Sequence, residues 1–195
     1  MKQVVISHGF QVTPELTWGD PPGLLWYPAL KETLTKKGYT VNIPLLPDTN
    51  HPRVEPWTDA LRTAVDGEPA STILVGHSVG GANVLRYLER REGEKPFGGV
   101  VLVSTNAFDV GYTDLAEFFA TAFDYERIRK NVSQMVIIFA IDDPVLAPDA
   151  LKHGLTFLKN LDAKIIVLPS GGHFTPFDDC RALLETLQGT IEMLG

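Results

Sequence analysis

Three polar residues stand in contexts that suit nucleophilic chemistry: Ser78 within Gly76-His77-Ser78-Val79-Gly80-Gly81, Asp143 within Asp142-Asp143-Pro144, and His173 within Gly171-Gly172-His173-Phe174. A serine hydroxyl is too weakly acidic to attack a carbonyl unaided. An imidazole can take its proton near neutral pH, and a carboxylate can hold that imidazole in one tautomer and stabilise its cation. Serine, acid and histidine in that chain order is one known arrangement for acyl transfer. The other histidines suit the base role less well. His77 is the variable position of the serine motif, His51 lies in a proline-rich loop, His153 sits on a helix, and His8 ends a strand where it is expected to pack under the following loop.

Asp142 and Asp143 are neighbours whose side chains point apart, so at most one can aim at His173. Pro144 disfavours a helical backbone at Asp143, which favours Asp143 as the orienting acid. Asp142 is expected to bond the backbone of its own turn. Asp109, after the fourth strand, is a third candidate.

The serine must stand on a sharp strand-to-helix turn. Residues 71–75 are apolar and β-branched, as in a strand buried on both faces, and from residue 82 Val84, Leu85 and Leu88 recur at helical spacing. Glycines at 76 and 80 leave space that a Cβ would fill, and Gly81 reads as additional room. The helix start places the N–H of Val79 and a positive dipole end beside Ser78, one half of an oxyanion hole. The first strand, residues 3–8, runs into a long loop rich in proline and glycine, and the N–H of Phe10 is the candidate second donor. Trp18 and Trp26 are candidate pocket aromatics.

Around these motifs the chain alternates strands and helices. Helices are expected over residues 24–37, 57–65, 148–161 and 175–194, and further strands over 39–46, 98–104, 134–141 and 164–168. Leu151, Leu155, Leu158 and Leu161 form the expected buried stripe of the third of these helices. Thr175, Pro176 and Asp178 read as the start of the last, with Cys180 inside it as a small hydrophobe. Residues 107–131 form a longer excursion with two short helices, whose Phe118, Phe119 and Phe123 face either the substrate or the core. Six strands alternating with helices describe an α/β fold, a three-layer α/β/α sandwich on a six-stranded parallel sheet, in a single domain over residues 1–195.

The chain has 17 basic and 24 acidic residues, a net charge of −7, with no long run of either sign. That argues against nucleic acid or an anionic membrane as partner and for a small molecule. One cysteine excludes an intrachain disulfide and a multi-cysteine metal site. The first residues hold too short an apolar run for a signal peptide, and no run approaches membrane-spanning length, so a cytoplasmic protein is expected. Oligomeric state is not readable.

Taken together, Trp26-Tyr27, Leu46-Pro47-Asp48, Trp57, Gly76-His77-Ser78-Val79-Gly80, Arg86-Tyr87, Val101-Leu102-Val103-Ser104, Asp142-Asp143-Pro144 and Gly172-His173-Phe174 make a pattern covering nearly the whole chain. It resembles the small serine hydrolases of the retinoblastoma-binding-protein type, a compact branch of the α/β-hydrolases. The resemblance implies sheet order 2-1-3-4-5-6, hydrolysis of a carboxylic ester or amide, no cofactor, and Ser78, Asp143 and His173 as the catalytic set. Two departures stand out: Ser7-His8-Gly9-Phe10 lacks the proline and extra glycines usual in that loop, and Ala147 is inserted before Pro148. Residues 61–68 contain no cysteine, so the Leu-x-Cys-x-Glu element for retinoblastoma binding has no counterpart. Hydrolysis through an acyl-enzyme on Ser78 is the leading expectation. The alternatives are a protein-binding module on the same fold with an idle triad, and an acyltransferase or thioesterase using the same serine.

Overall fold

The computed structural model describes residues 2–10, 26–92, 94–175 and 178–195. Six strands form one all-parallel sheet: β1 (Gln3–Ser7), β2 (Thr40–Asn42), β3 (Thr72–His77), β4 (Gly99–Val103), β5 (Met135–Ala140) and β6 (Lys164–Leu168), in the spatial order 2-1-3-4-5-6. The expected fold class and strand order are those observed. Every residue of β1, β3, β4 and β5 is buried, whereas the edge strands β2 and β6 are partly exposed. Continuous apolar runs form central parallel strands because helices cover both faces.

Alternation divides these strands between two cores. Val5, Leu74, Val100, Leu102, Ile137 and Phe139 face one side, beneath α2 (Val54–Ala64), α3 (Val79–Glu89), α4 (Ala116–Phe119), α5 (Tyr125–Lys130) and α6 (Ala150–Leu161). Val4, Ile6, Ile73, Val75, Val101, Val103, Val136 and Ile138 face the other, beneath α1 (Trp26–Lys36) and α7 (Arg181–Leu194). The register pairs Ser7 with Gly76, His77 with Val103 and Val103 with Ile138, so the carboxyl ends of the central strands open onto one rim. Helix α1 ends where glycine was expected to stop it: Gly38 (φ +85) follows, with Tyr39 N–H donating to the Leu34 carbonyl and Gly38 N–H to that of Thr35.

Several elements depart from the sequence reading. Leu151, Leu155 and Leu158 are exposed, and α6 instead buries Ala150, His153, Gly154, Phe157 and Leu161. Both stripes have helical spacing; Gly154 decides between them, because a Cβ there would overlap the Phe139 ring, and the helix docks where that side chain is missing. The helix starts at Ala150 rather than 148, with the Asp149 carboxylate accepting the Lys152 N–H at 3.1 Å. Helix α2 starts three residues before its expected position, since Pro56 fits the first turn of a helix instead of preceding it. The last helix starts at Arg181, with Cys180 at its N-cap. The Asp178 carboxylate turns back onto Thr175, taking its N–H at 2.7 Å and its hydroxyl at 2.8 Å, and so closes a separate turn; Pro176 lies outside the described residues. Burial beside Asp178 and Asp179 pushes the Cys180 thiol up to about 11, which keeps it protonated at neutral pH.

The glycines of the serine motif are tighter than expected. A Cβ on Gly76 would overlap the Gly81 backbone, one on Gly80 the carbonyl oxygens of Ser7 and His8, and one on Gly81 the Thr105 hydroxyl. Gly81 is therefore a contact point and not spare room. Gly81→Ala is expected to cost about 1–3 kcal/mol in urea unfolding, and adding Thr105→Ala, which removes the outer atoms of the clash, to recover part of it. Gly80→Ala, which meets backbone that no neighbouring substitution can trim, is expected to cost more. Equal losses in the Gly81→Ala variant with and without Thr105→Ala would place the strain elsewhere.

Candidate active site

Ser78 is held between β3 and α3 at φ 55, ψ −129, a conformation that L-residues rarely adopt. Its N–H donates to the Val103 carbonyl, 2.9 Å away on the neighbouring strand, and its own carbonyl accepts the Gly81 N–H at 2.9 Å. The strained residue is thus tied on both sides. Val79 follows as the first residue of α3, where helix geometry leaves its N–H without an intrahelical acceptor.

Two loops from distant parts of the chain line up behind the hydroxyl, one on the other. His173 Nε2 lies 2.9 Å from Ser78 Oγ, and His173 Nδ1 lies 3.0 and 2.9 Å from the two carboxylate oxygens of Asp143. All three side chains are buried. Asp143 Oδ1 also accepts the N–H groups of Val145 (2.9 Å) and Leu146 (3.1 Å). Burial alone would raise this carboxyl, but the bonds from His173 and the backbone outweigh it and hold Asp143 below the usual range. The group is an anion facing the imidazole.

Asp142 does not bond its own turn as expected. Its Oδ1 accepts the N–H of Gly172 at 3.0 Å, across to the histidine loop, where Gly172 at φ +55 presents that N–H. Adjacent acids therefore hold one loop by two handles, ring and backbone. Asp109 closes a local turn with Gly111 N–H and takes no part. His8 is buried as expected, its Nε2 accepting the Leu46 N–H at 3.0 Å.

The remaining candidates are placed less directly. Phe10 is partly buried against the core, and a Cβ on Gly9 would stand 3.4 Å from Ser78 Cβ, so this turn runs beside the serine. Phe118 and Phe123 are buried: Phe118 meets the Trp57 ring edge-on, Phe123 stacks on the Arg86 guanidinium, and Arg86 grips the Phe118 carbonyl at 2.7 Å. Phe119 alone of the three is partly exposed. Trp26 is buried against His77, and Trp18 lies outside the described residues.

A family model described as serine hydrolase matches residues 5–179. The chain belongs to the serine hydrolase family. The hydrolase is 31% identical to YdeN of Bacillus subtilis (strain 168) over 174 residues, 89% of this chain and 86% of that protein. It is 25% identical to the serine hydrolase RBBP9 of Rattus norvegicus over 181 residues, 90% and 93% of the two chains. The crystal structure of the ydeN gene product from B. subtilis matches it with a TM-score of 0.83 at 27% identity, covering 98% of this chain and 100% of that one. Est1E from Butyrivibrio proteoclasticus shares the fold at a TM-score of 0.68 and 13% identity, over 98% and 86% of the chains. No helix among the described residues of the hydrolase is long and apolar enough to cross a membrane.

His77, at the variable position of the serine motif, lies against the same residues. His77 is buried, with Nδ1 2.6 Å from the Tyr27 hydroxyl and Nε2 2.9 Å from the His173 carbonyl oxygen. Burial, then the nearby His173, lowers its pKa to about 3. The unfolded chain takes up a proton near the ordinary value of 6.5 and the folded one does not, so stability is full above that value and falls as the pH drops towards 3. Buried His8 and His153 are lowered too and act in the same sense. The urea midpoint is expected to fall between pH 7 and 5, and less steeply in His77→Gln; identical slopes would exclude His77 as a source.

Proposed function

We propose that the chain hydrolyses a carboxylic ester or amide of a small substrate through an acyl-enzyme on Ser78. The observation that carries the reading is the 2.9 Å approach of His173 Nε2 to Ser78 Oγ, with Nδ1 of the same ring held by Asp143. In this mechanism Ser78 Oγ bonds to the carbonyl carbon while its proton passes to His173 Nε2. The imidazolium is stabilised by the Asp143 carboxylate and then returns the proton to the leaving alcohol or amine, which departs as the C–O or C–N bond breaks. Water repeats the sequence: it gives a proton to His173, its oxygen bonds to the acyl carbon, and the serine ester bond breaks with the proton returning to Ser78.

The N–H of Val79, at the positive end of α3, and that of Phe10 are the proposed donors to the tetrahedral oxyanion. Asp143 is preferred to Asp142 as the orienting acid because it meets the imidazole, whereas Asp142 meets only backbone. Phe119, the partly exposed member of the excursion, is the aromatic best placed to touch an acyl chain; Phe118 and Phe123 are committed to packing.

Ser78→Ala and His173→Ala are each expected to lower kcat for a short-chain p-nitrophenyl ester by about 10³ or more, and Asp143→Asn by about 10³–10⁴. Asp142→Asn, which keeps an oxygen for Gly172 N–H, is expected to lose less than about tenfold, since it removes only the charge from one hydrogen bond. Intact-mass analysis after a fluorophosphonate probe should show one adduct in the wild type and none in Ser78→Ala. A wild-type protein that is folded but unlabelled would favour a non-catalytic binding module, and the reverse ranking of the two aspartate variants would exchange their roles.

A further inference from the structure

Tyr27 and His77 lie outside the line from Ser78 to Asp143, yet between them they touch the backbone of both loops that flank it. The bonding there runs in one direction only. The His173 carbonyl oxygen can only accept, so His77 Nε2, 2.9 Å away, carries the ring proton. The ring is buried and neutral, which leaves Nδ1 bare. Tyr27 Oη, 2.6 Å from Nδ1, must therefore donate its proton there, and its oxygen is free to accept the Gly9 N–H at 3.3 Å. Every proton in the chain has one place.

The two ends of this chain matter chemically. Gly9 runs beside Ser78 and immediately precedes Phe10, the proposed oxyanion donor. With its own N–H committed to Tyr27, Gly9 leaves that task to the next residue. His173, at the other end, has its ring on Asp143 and the adjoining Gly172 N–H on Asp142, so the bond from His77 fixes its backbone on the carbonyl side. Tyr27 and His77 are both buried, and their rings meet edge-on at 5.8 Å with little room to turn.

We propose that Tyr27 and His77 are positioning residues for the hydrolytic reaction: the hydrogen-bond chain Gly9 N–H to Tyr27, Tyr27 O–H to His77, and His77 N–H to the His173 carbonyl sets the spacing between the oxyanion turn and the base. The inference rests on the reading of Ser78 and His173 as nucleophile and base. Breaking one link leaves buried polar groups unpaired at both neighbours and frees the two loops to drift, and a shift of about 1 Å between reacting groups can cost about 10²-fold in rate.

The test compares Tyr27→Phe, His77→Leu and His77→Gln with wild type at equal folded fraction, by turnover of a short-chain p-nitrophenyl ester and by the rate of fluorophosphonate labelling. Tyr27→Phe and His77→Leu are expected to lower kcat about 10- to 100-fold with KM changed less than about twofold, and to slow labelling in proportion. His77→Gln, whose amide N–H stands near the position of Nε2, is expected to recover to within about fivefold of wild type. A merely structural role would lower the unfolding midpoint and leave kcat per folded molecule unchanged. Tyr27→Phe retaining more than half of wild-type kcat, or His77→Gln faring no better than His77→Leu, would overturn the proposal while a labelled, active wild type leaves the nucleophile reading intact. A wild type that neither labels nor turns over would overturn both. Should His77→Leu fail to fold, Tyr27→Phe, which removes one oxygen and keeps the ring, decides alone.

Discussion

The backbone of Ser78 is the constraint on which the rest of the site depends. A non-glycine residue at φ 55 persists only where its surroundings over-determine it, and here the crossing of β3 and α3 does so. The crossing is close because three side chains are missing: Gly76 against Gly81, Gly80 against the end of β1, and Gly81 against Thr105. Bonds to Val103 on one side and from Gly81 on the other then fix the peptide planes. Placing the hydroxyl at the sheet rim is thus a matter of backbone packing, and the helix start beside it comes with the same turn.

The histidine reaches that hydroxyl from the opposite end of the sequence, on a loop with two glycines at positive φ. Such a loop has little rigidity of its own. It is held from outside: ring on Asp143, Gly172 N–H on Asp142, and carbonyl on His77. Burial keeps His77 neutral, which is what lets it act as a donor of fixed direction, and the same burial makes it an acid-sensitive element of the fold. Precision in the proposed mechanism and the expected loss of stability at low pH have a common origin in the desolvation of that ring.

Much of this was legible in the sequence because it rests on short-range patterns. Apolar runs marked the central strands and glycines marked the serine turn, and Asp143, the aspartate next to Pro144, is the one that meets the His173 ring. Where two solutions satisfied the same local pattern, the sequence reading failed. Both stripes of α6 have helical spacing, and only the contact of Gly154 with Phe139 chose between them. Thr175 and Asp178 fit a helix start, yet they close a turn of their own before α7. For Phe118 and Phe123 the sequence leaves substrate and core open, and Arg86, which binds the excursion onto α3, holds both in the core.

By itself the sequence determined the alternation of buried strands and helices, the strained serine turn and the residue types from which the proposed acyl chemistry is built, since these depend on side-chain type and on spacing within one element. Only the tertiary structure decided which partners those residues meet. Asp142 bonds a loop thirty residues away, and His77 joins Tyr27 to His173 across separations of 50 and 96 residues. Hydrogen bonds of that kind form between groups that the sheet order brings together and burial deprives of water, and neither condition is written in local spacing.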